Sequence, residues 1–145
     1  MTALRRVGQY RGPDIVVHPE SEPFWKGLGD GQLKLQKCAH CRTVRFPVAP
    51  MCWGCGALEY EWTPVAIEGT VSAAVTVHRA TGDQRWAVEV PFVTAQVDMA
   101  DGLRLPGRVV SDQPVAPPHG YPVRAAYLEA PGGYGVLCFV PEERA

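Results

Sequence analysis

No run of about 18 consecutive apolar residues occurs anywhere in the 145-residue chain, so nothing in it reads as a membrane-spanning helix. Met1 to Gly12 carries Arg5, Arg6 and Arg11 but no apolar stretch of the kind a secretory signal needs, so a cytoplasmic location is expected and disulfides are not. Catalytic signatures are equally scarce: there is no Gly-x-Ser-x-Gly elbow, no phosphate-cradling glycine-rich loop and no His/Cys nucleophile pairing. A reaction centre belonging to this chain alone is therefore not expected. Basic residues are short where a nucleic-acid binder needs them. Residues 1–45 hold eight of the 14 Lys and Arg against four acids, whereas residues 46–145 hold six against eleven. With no aromatic stripe interleaved with Lys or Arg on the later strands, salt-sensitive binding to DNA or RNA is not expected. Long helical periodicity is also missing, while Gly 15 and Pro 14 supply many turns, which together point to a mainly β body.

The chain does have two CxxC pairs, Cys38-Ala-His-Cys41 and Cys52-Trp-Gly-Cys55, ten residues apart. Each pair forms a tight knuckle that offers two sulfurs on one side, and two facing knuckles complete a tetrahedral S4 site. Zinc in a structural role is the expected occupant; thiolate softness also admits iron. A thioredoxin-type redox pair would need only one CxxC at a helix start, not two among Pro and Gly. A closed S4 site has no open coordination position, so the ion holds structure and does no Lewis-acid chemistry. His40 reads as a solvent-facing knuckle residue, Cys138 as a small core residue. The bound ion and four thiolates bring the formal charge from −1 to about −3, and Lys37, Arg42 and Arg45 read as compensation for that anionic cluster.

At 145 residues the chain can bury roughly 70% of its unfolded surface, enough for one barrel and a small metal module. Residues 1–18 show no period and read as an extended arm. Residues 19–32 hold a short helix, with Ser21 as N-cap, Glu22 and Pro23 in the first turn, Phe24, Trp25 and Leu28 on one face, and Gly27, Gly29 and Gly31 ending it. So short a helix must be stabilised by docking. Phe24 and Trp25 are its anchors, packed either on the chain's own metal module or on a partner. Residues 33–64 form the ribbon: Leu33 and Leu35 lead into the first knuckle, and Leu58, Tyr60 and Trp62 alternate out of the second.

Residues 65–145 read as five strands. Glu68–Arg79 places Val71, Ala73, Val75 and Val77 on one face. Phe92–Met99 does the same with Val93, Ala95, Val97 and Met99. Asp101-Gly102 turns into Leu103–Val110, and Val123–Leu128 and Tyr134–Val140 follow. The expected fold is an N-terminal helix, a rubredoxin-like zinc ribbon and a five-stranded OB-fold barrel. The connection Asp112–Gly120 contains Pro114, Pro117 and Pro118, so the helix often found at that place in such barrels is not expected.

The order of these parts carries a resemblance. Phe24-Trp25, the Gly-x-Leu-x-Leu-Gln-x-Cys segment at Gly31 to Cys38, the two knuckles, Glu-Gly-Thr-Val at 68–71, Thr-Val-His-Arg at 76–79 and Pro-Phe at 91–92 resemble the zinc-ribbon/OB-fold proteins of acyl-CoA metabolism. Arg42 stands where the first knuckle usually has Gly, and Trp53 where the second often has Pro. The resemblance implies a non-catalytic subunit that partners a thiolase-like enzyme and helps form the acyl-CoA channel. A retro-aldol lyase for side-chain degradation of a steroid or lipid is the leading expectation for that enzyme, and a thiolase-like acyltransferase is the alternative. Phe24 and Trp25 would then anchor the partner, and His78, Arg79, Arg85 and Trp86 would line the channel mouth. Read without the resemblance, His78 is a rim histidine and Arg79 a solvated arginine. Two other classes are weighed against this one. A nucleic-acid-binding ribbon and barrel conflicts with the acidic barrel half, and a stand-alone acyl-CoA binder or enzyme would need a deep apolar pocket that a side-chain-filled five-stranded barrel does not supply.

Overall fold

The computed structural model describes residues 3–142, which run through β1 (Arg6–Gln9), α1 (Glu22–Gly29), β2 (Lys34–Cys38), β3 (Val44–Arg45), β4 (Tyr60–Pro64), β5 (Glu68–Val77), β6 (Phe92–Met99), β7 (Arg104–Val109), β8 (Pro122–Ala130) and β9 (Tyr134–Pro141). Strands β5 to β9 close into the five-stranded barrel, in the cyclic order β5-β6-β7-β9-β8, with only the β7/β9 pair parallel. Closure gives each strand two partners, so the barrel keeps no long unpaired edge. Val71, Val97, Leu105, Val123 and Phe139 fill it and are fully buried. The connection from Asp112 to Gly120 contains no helix.

In β6 the alternation holds: Val93, Ala95, Val97 and Met99 all point inward. In β5 it fails after one residue. The register against β6 slips between Val71 and Ala73, and the extra residue of this bulge moves every later side chain to the opposite face. Val71 is buried, but Ala73 is exposed and Val75 is 58% exposed. A period-two count has no means of seeing an inserted residue.

The arm is more ordered than its lack of period suggests. Strand β1 runs parallel to β8, with Gly8 opposite Leu128 and Gln9 opposite Glu129. The same side of β8 is occupied by β5 only at Pro122 to Arg124, so the arm takes over the edge that β5 leaves. Leu4 is buried behind it, and its N–H donates to the Gly31 carbonyl at 2.7 Å. Four residues with one apolar side chain cannot show alternation, and the strand is invisible in sequence for that reason.

Helix α1 begins after Ser21, whose hydroxyl donates to the His18 carbonyl at 3.2 Å instead of capping the helix. Gly31, with φ +81°, turns the chain out of the helix as expected. Gly29 is the last residue of the helix, as expected, whereas Gly27 lies inside it. They serve close approach: a Cβ on Gly29 would stand 2.0 Å from the Gly133 carbonyl oxygen, and one on Gly135 would stand 2.7 Å from the Gly29 nitrogen. The helix therefore crosses the β8/β9 turn backbone against backbone. Strands β3, β2 and β4 form the ribbon sheet, in that order. Leu28 of the helix and Leu33 and Leu35 of the ribbon belong to one continuous core with Val71, Val97 and Leu137 of the barrel.

Candidate functional site

The two knuckles are built alike. In the first, Cys38 N–H donates to the Thr43 carbonyl and Arg42 N–H to the Cys38 carbonyl; in the second, Cys52 N–H donates to Ala57 and Gly56 N–H to Cys52. Arg42 and Gly56 thus hold the same place, and both are left-handed, at φ +67° and +80°. Glycine adopts that conformation freely, while a residue with a Cβ is disfavoured there by roughly 1–2 kcal/mol. Arg42→Gly is accordingly expected to stabilise the protein by about 0.5–1 kcal/mol, less than the full strain because glycine also loosens the unfolded chain. Urea unfolding of the metal-loaded protein measures it, and an unchanged or lowered midpoint refutes it.

The four sulfurs of Cys38, Cys41, Cys52 and Cys55 lie within 4.8 Å of one another, with Cys38 to Cys55 at 3.6 Å and Cys41 to Cys52 at 3.5 Å. A tetrahedron with metal–sulfur bonds of about 2.3 Å has edges near 3.8 Å, so the donor set fits an S4-bound ion. Backbone N–H groups of His40 and Cys41 point at the Cys38 sulfur at 3.4 and 3.5 Å, and that of Gly54 at the Cys52 sulfur at 3.4 Å. Donors on sulfur favour thiolate. The Cys41 and His40 N–H groups hold the Cys38 thiol below its ordinary value. Thr43, its hydroxyl 3.1 Å away and its backbone close by, brings Cys41 down to about 6. Cys55 goes the other way: the Ala57 backbone pulls it down, but the sulfurs of Cys38 and Cys41 outweigh this and push it up to about 11. Four sulfurs this close cannot all be anionic unless a cation joins them, and a divalent ion removes the conflict.

His40 is exposed, with Nε2 3.1 Å from Glu59 Oε2. Cys138 is fully buried in the barrel wall, where burial pushes its thiol up to about 12. Arg45, read in sequence as a counter-charge to the cysteine cluster, is held inside the ribbon. It is 1% exposed, lies over the Tyr60 ring at 4.9 Å, and donates to the Ala49 carbonyl from Nε at 3.3 Å and Nη2 at 2.9 Å. Gln36, its cross-strand partner on β2, is equally buried and accepts from Ala49 N–H at 2.9 Å. The two side chains grip the loop that leads to the second knuckle.

Beside that loop a cleft of about 980 Å³ opens between arm, helix, ribbon and barrel wall. Its surface is mostly apolar, with Phe24 and Trp25 of the helix on one side and Trp86 and Phe92 of the barrel on another. Phe24 is 7% exposed and packs on Trp25 at 5.3 Å and Phe46 at 5.8 Å, so its ring is used within the chain. Trp25 is half-buried. Trp86 meets Tyr10 of the arm edge-on at 6.1 Å and Phe92 at 5.5 Å. Arg85 is held by Asp83 at 2.7 Å and Asp14 at 3.3 Å, pinning the arm to its loop, and its hydrogen bonds bring the Asp83 carboxyl down to about 2. His78 and Arg79 are exposed and do not line the cleft. The structure thus brings Phe24, Trp25 and Trp86 together and leaves His78 and Arg79 apart. Sequence reasoning does not find the cleft itself, or Arg108, which lies over Phe92 at 4.8 Å and pairs with Glu89 at 2.7 Å. These contacts join segments far apart in the chain and leave no local pattern.

Residues 25–61 match the family model for the ChsH2 rubredoxin-like zinc ribbon domain, and residues 62–128 match that for the ChsH2 C-terminal OB-fold domain. The chain belongs to this zinc-ribbon/OB-fold, acyl-CoA-associated family. Among family relatives, a probable enoyl-CoA hydratase alpha subunit of Thermomonospora curvata is 32% identical over 81% of this chain and 36% of its own length. A 3-oxo-4,17-pregnadiene-20-carboxyl-CoA hydratase alpha subunit of Mycobacterium tuberculosis is 29% identical over 90% of this chain and 42% of its own. A DUF35 domain-containing scaffold protein of Methanocaldococcus jannaschii is 28% identical over 71% and 74%. The chain thus spans about two fifths of the two hydratase subunits. A solved structure described as an Ltp2-ChsH2(DUF35) aldolase superposes with a TM-score of 0.77 at 27% identity, covering 88% of this chain and 98% of that one. Among the described residues no helix is long and apolar enough to cross a membrane.

Proposed function

We propose that this chain is a non-catalytic subunit of a thiolase-like enzyme acting on acyl-CoA thioesters, that the partner carries the reacting groups, and that the S4 site holds a structural zinc ion. The observation that carries this reading is the solved aldolase whose name joins two components, one of which superposes on this chain over nearly its whole length. The names of the relatives, two of them alpha subunits of CoA-thioester hydratases and one a scaffold protein, support an accessory role. The neighbour's description as an aldolase favours retro-aldol carbon–carbon cleavage over acyl transfer, with a steroid or lipid side chain as substrate. A hydratase activity is not carried over, since this chain covers only 36% and 42% of those relatives.

Trp25 and Trp86 are the aromatic residues placed to serve such a complex, both half-exposed on one cleft. Half-buried aromatics of this kind often hold much of an interface's energy. His78, Arg79 and Arg85 offer positive or hydrogen-bonding groups toward the phosphates of CoA. The enzyme that co-purifies with this chain from its native cell is the partner to test. Removal of the chain is expected to lower that enzyme's turnover of an acyl-CoA, and Trp86→Ala is expected to reduce turnover of the complex about two- to tenfold while leaving metal content at one ion per chain. Absence of a stable complex, or identical partner activity with and without the chain, refutes the proposal.

A further inference from the structure

One residue that lines the ribbon–barrel cleft, Gln36, carries a buried donor with no acceptor. Gln36 lines the cleft, is 1% exposed, and its Nε2 has no hydrogen-bond partner in the protein; Arg45 Nη1, on the paired residue of β3, has none either. The orientation of the Gln36 amide is fixed by chemistry, because Ala49 N–H is a donor and must face the oxygen, at 2.9 Å. Its NH2 group is therefore held away from that bond. A buried donor left unpaired is costly, so one on a residue that lines a mostly apolar cleft marks a place built for an acceptor. The remaining surface is mostly apolar and aromatic, with His18, Glu20, Ser21, Thr94 and Arg108 as its other polar members. At about 980 Å³ the cleft sits at the upper end of the roughly 300–1,000 Å³ that small-molecule sites occupy.

We infer that this cleft binds an elongated apolar molecule with an acceptor oxygen, ketone or carboxylate, at its inner end, and that Gln36 Nε2 donates to that oxygen with Arg45 beside it. The aromatic walls supply non-directional affinity, and the amide selects for the oxygen. This inference rests on the geometry of the single chain and stands whether or not the partner reading does.

Calorimetric titration of the metal-loaded full chain, without any partner, tests it. Progesterone serves as a fused-ring ketone, palmitate as an apolar carboxylate, and pyrene as an apolar probe without oxygen. At least one oxygenated probe is expected to bind with Kd tighter than about 100 μM, and pyrene at least about tenfold more weakly. Whichever oxygenated probe binds identifies the source of the acceptor. Gln36→Glu keeps the oxygen that Ala49 needs, gains a pairing with Arg45 and presents acceptor to acceptor; it is expected to weaken the oxygenated probe at least about tenfold and pyrene hardly at all. Val48→Trp, which fills the cleft from the loop and leaves Gln36 in place, is expected to abolish binding of every probe and keeps the test open should Gln36→Glu fail to fold. Failure of both oxygenated probes to bind, pyrene binding as tightly as they do, or an unchanged affinity in either folded variant overturns the inference.

Discussion

Replacing Cys38 or Cys52 with serine is expected to drop metal content from one ion per chain to nearly none and to lower the unfolding midpoint by more than about 10 °C. These two cysteines are the buried members of the set, at 0% and 1% exposure, and each accepts backbone N–H bonds whose orientation the knuckle dictates. Serine oxygen is a poorer partner for a soft ion and does not ionise near neutral pH. Without the ion, the remaining sulfurs return to the mutual repulsion that holds Cys55 high. Because metal-binding free energy in such ribbons is largely folding free energy, the loss is felt as unfolding and not as a local vacancy. Elemental analysis and thermal denaturation read the two effects together. Native protein without stoichiometric zinc or iron, or a variant that keeps both its ion and its midpoint, refutes the S4 assignment. Cys138→Ser is the control. That thiol lies in the barrel wall, so the change is expected to leave metal content unaltered.

The second large effect pits helix propensity against sterics. Gly29 lies in the last turn of α1, where alanine is ordinarily better by up to about 1 kcal/mol. A Cβ there would stand 2.0 Å from the Gly133 oxygen and 2.9 Å from the backbone carbon of Tyr134. Those are backbone atoms of the β8/β9 turn and cannot swing aside as a side-chain tip does. Helix and barrel must separate, so Gly29→Ala is expected to destabilise by about 3 kcal/mol or more, at the severe end for overpacking. Urea unfolding decides the sign: a midpoint equal to or above that of the parent protein means that the crossing is looser than the structure has it.

These two positions also show what was legible beforehand. The cysteine pattern could be read because the chemistry of a metal knuckle fixes spacing directly, and Arg42 was recognisable as standing in a glycine's place. Strand β6 was legible because its alternation runs unbroken from Val93 to Met99. Gly29 ends the helix as its sequence position suggests, but its second task, close approach to the β8/β9 turn, leaves no separate mark in the sequence. The bulge in β5 turns Ala73 and Val75 outward, away from the face they share with Val71 in a period-two count, and no residue there announces it. Gln36 and Arg45 had ordinary polar identities. Only the fold reveals that both are buried, because the contacts that bury them come from the loop at Ala49 and the ring of Tyr60.

The continuous core running from Leu33 and Leu35 through Leu28 into the barrel has a consequence for how the molecule responds to its surroundings. One wall of the cleft belongs to the ribbon and another to the barrel, and the helix between them is too short to hold its shape alone. With the S4 reading, the ion acts on the cleft from a distance, by mass action: the stability of the folded chain rises with the logarithm of free metal above its dissociation constant. Metal supply then sets how many copies of the chain own a finished cleft at all, which makes the cell's free-metal level a rheostat on a surface that never touches the ion.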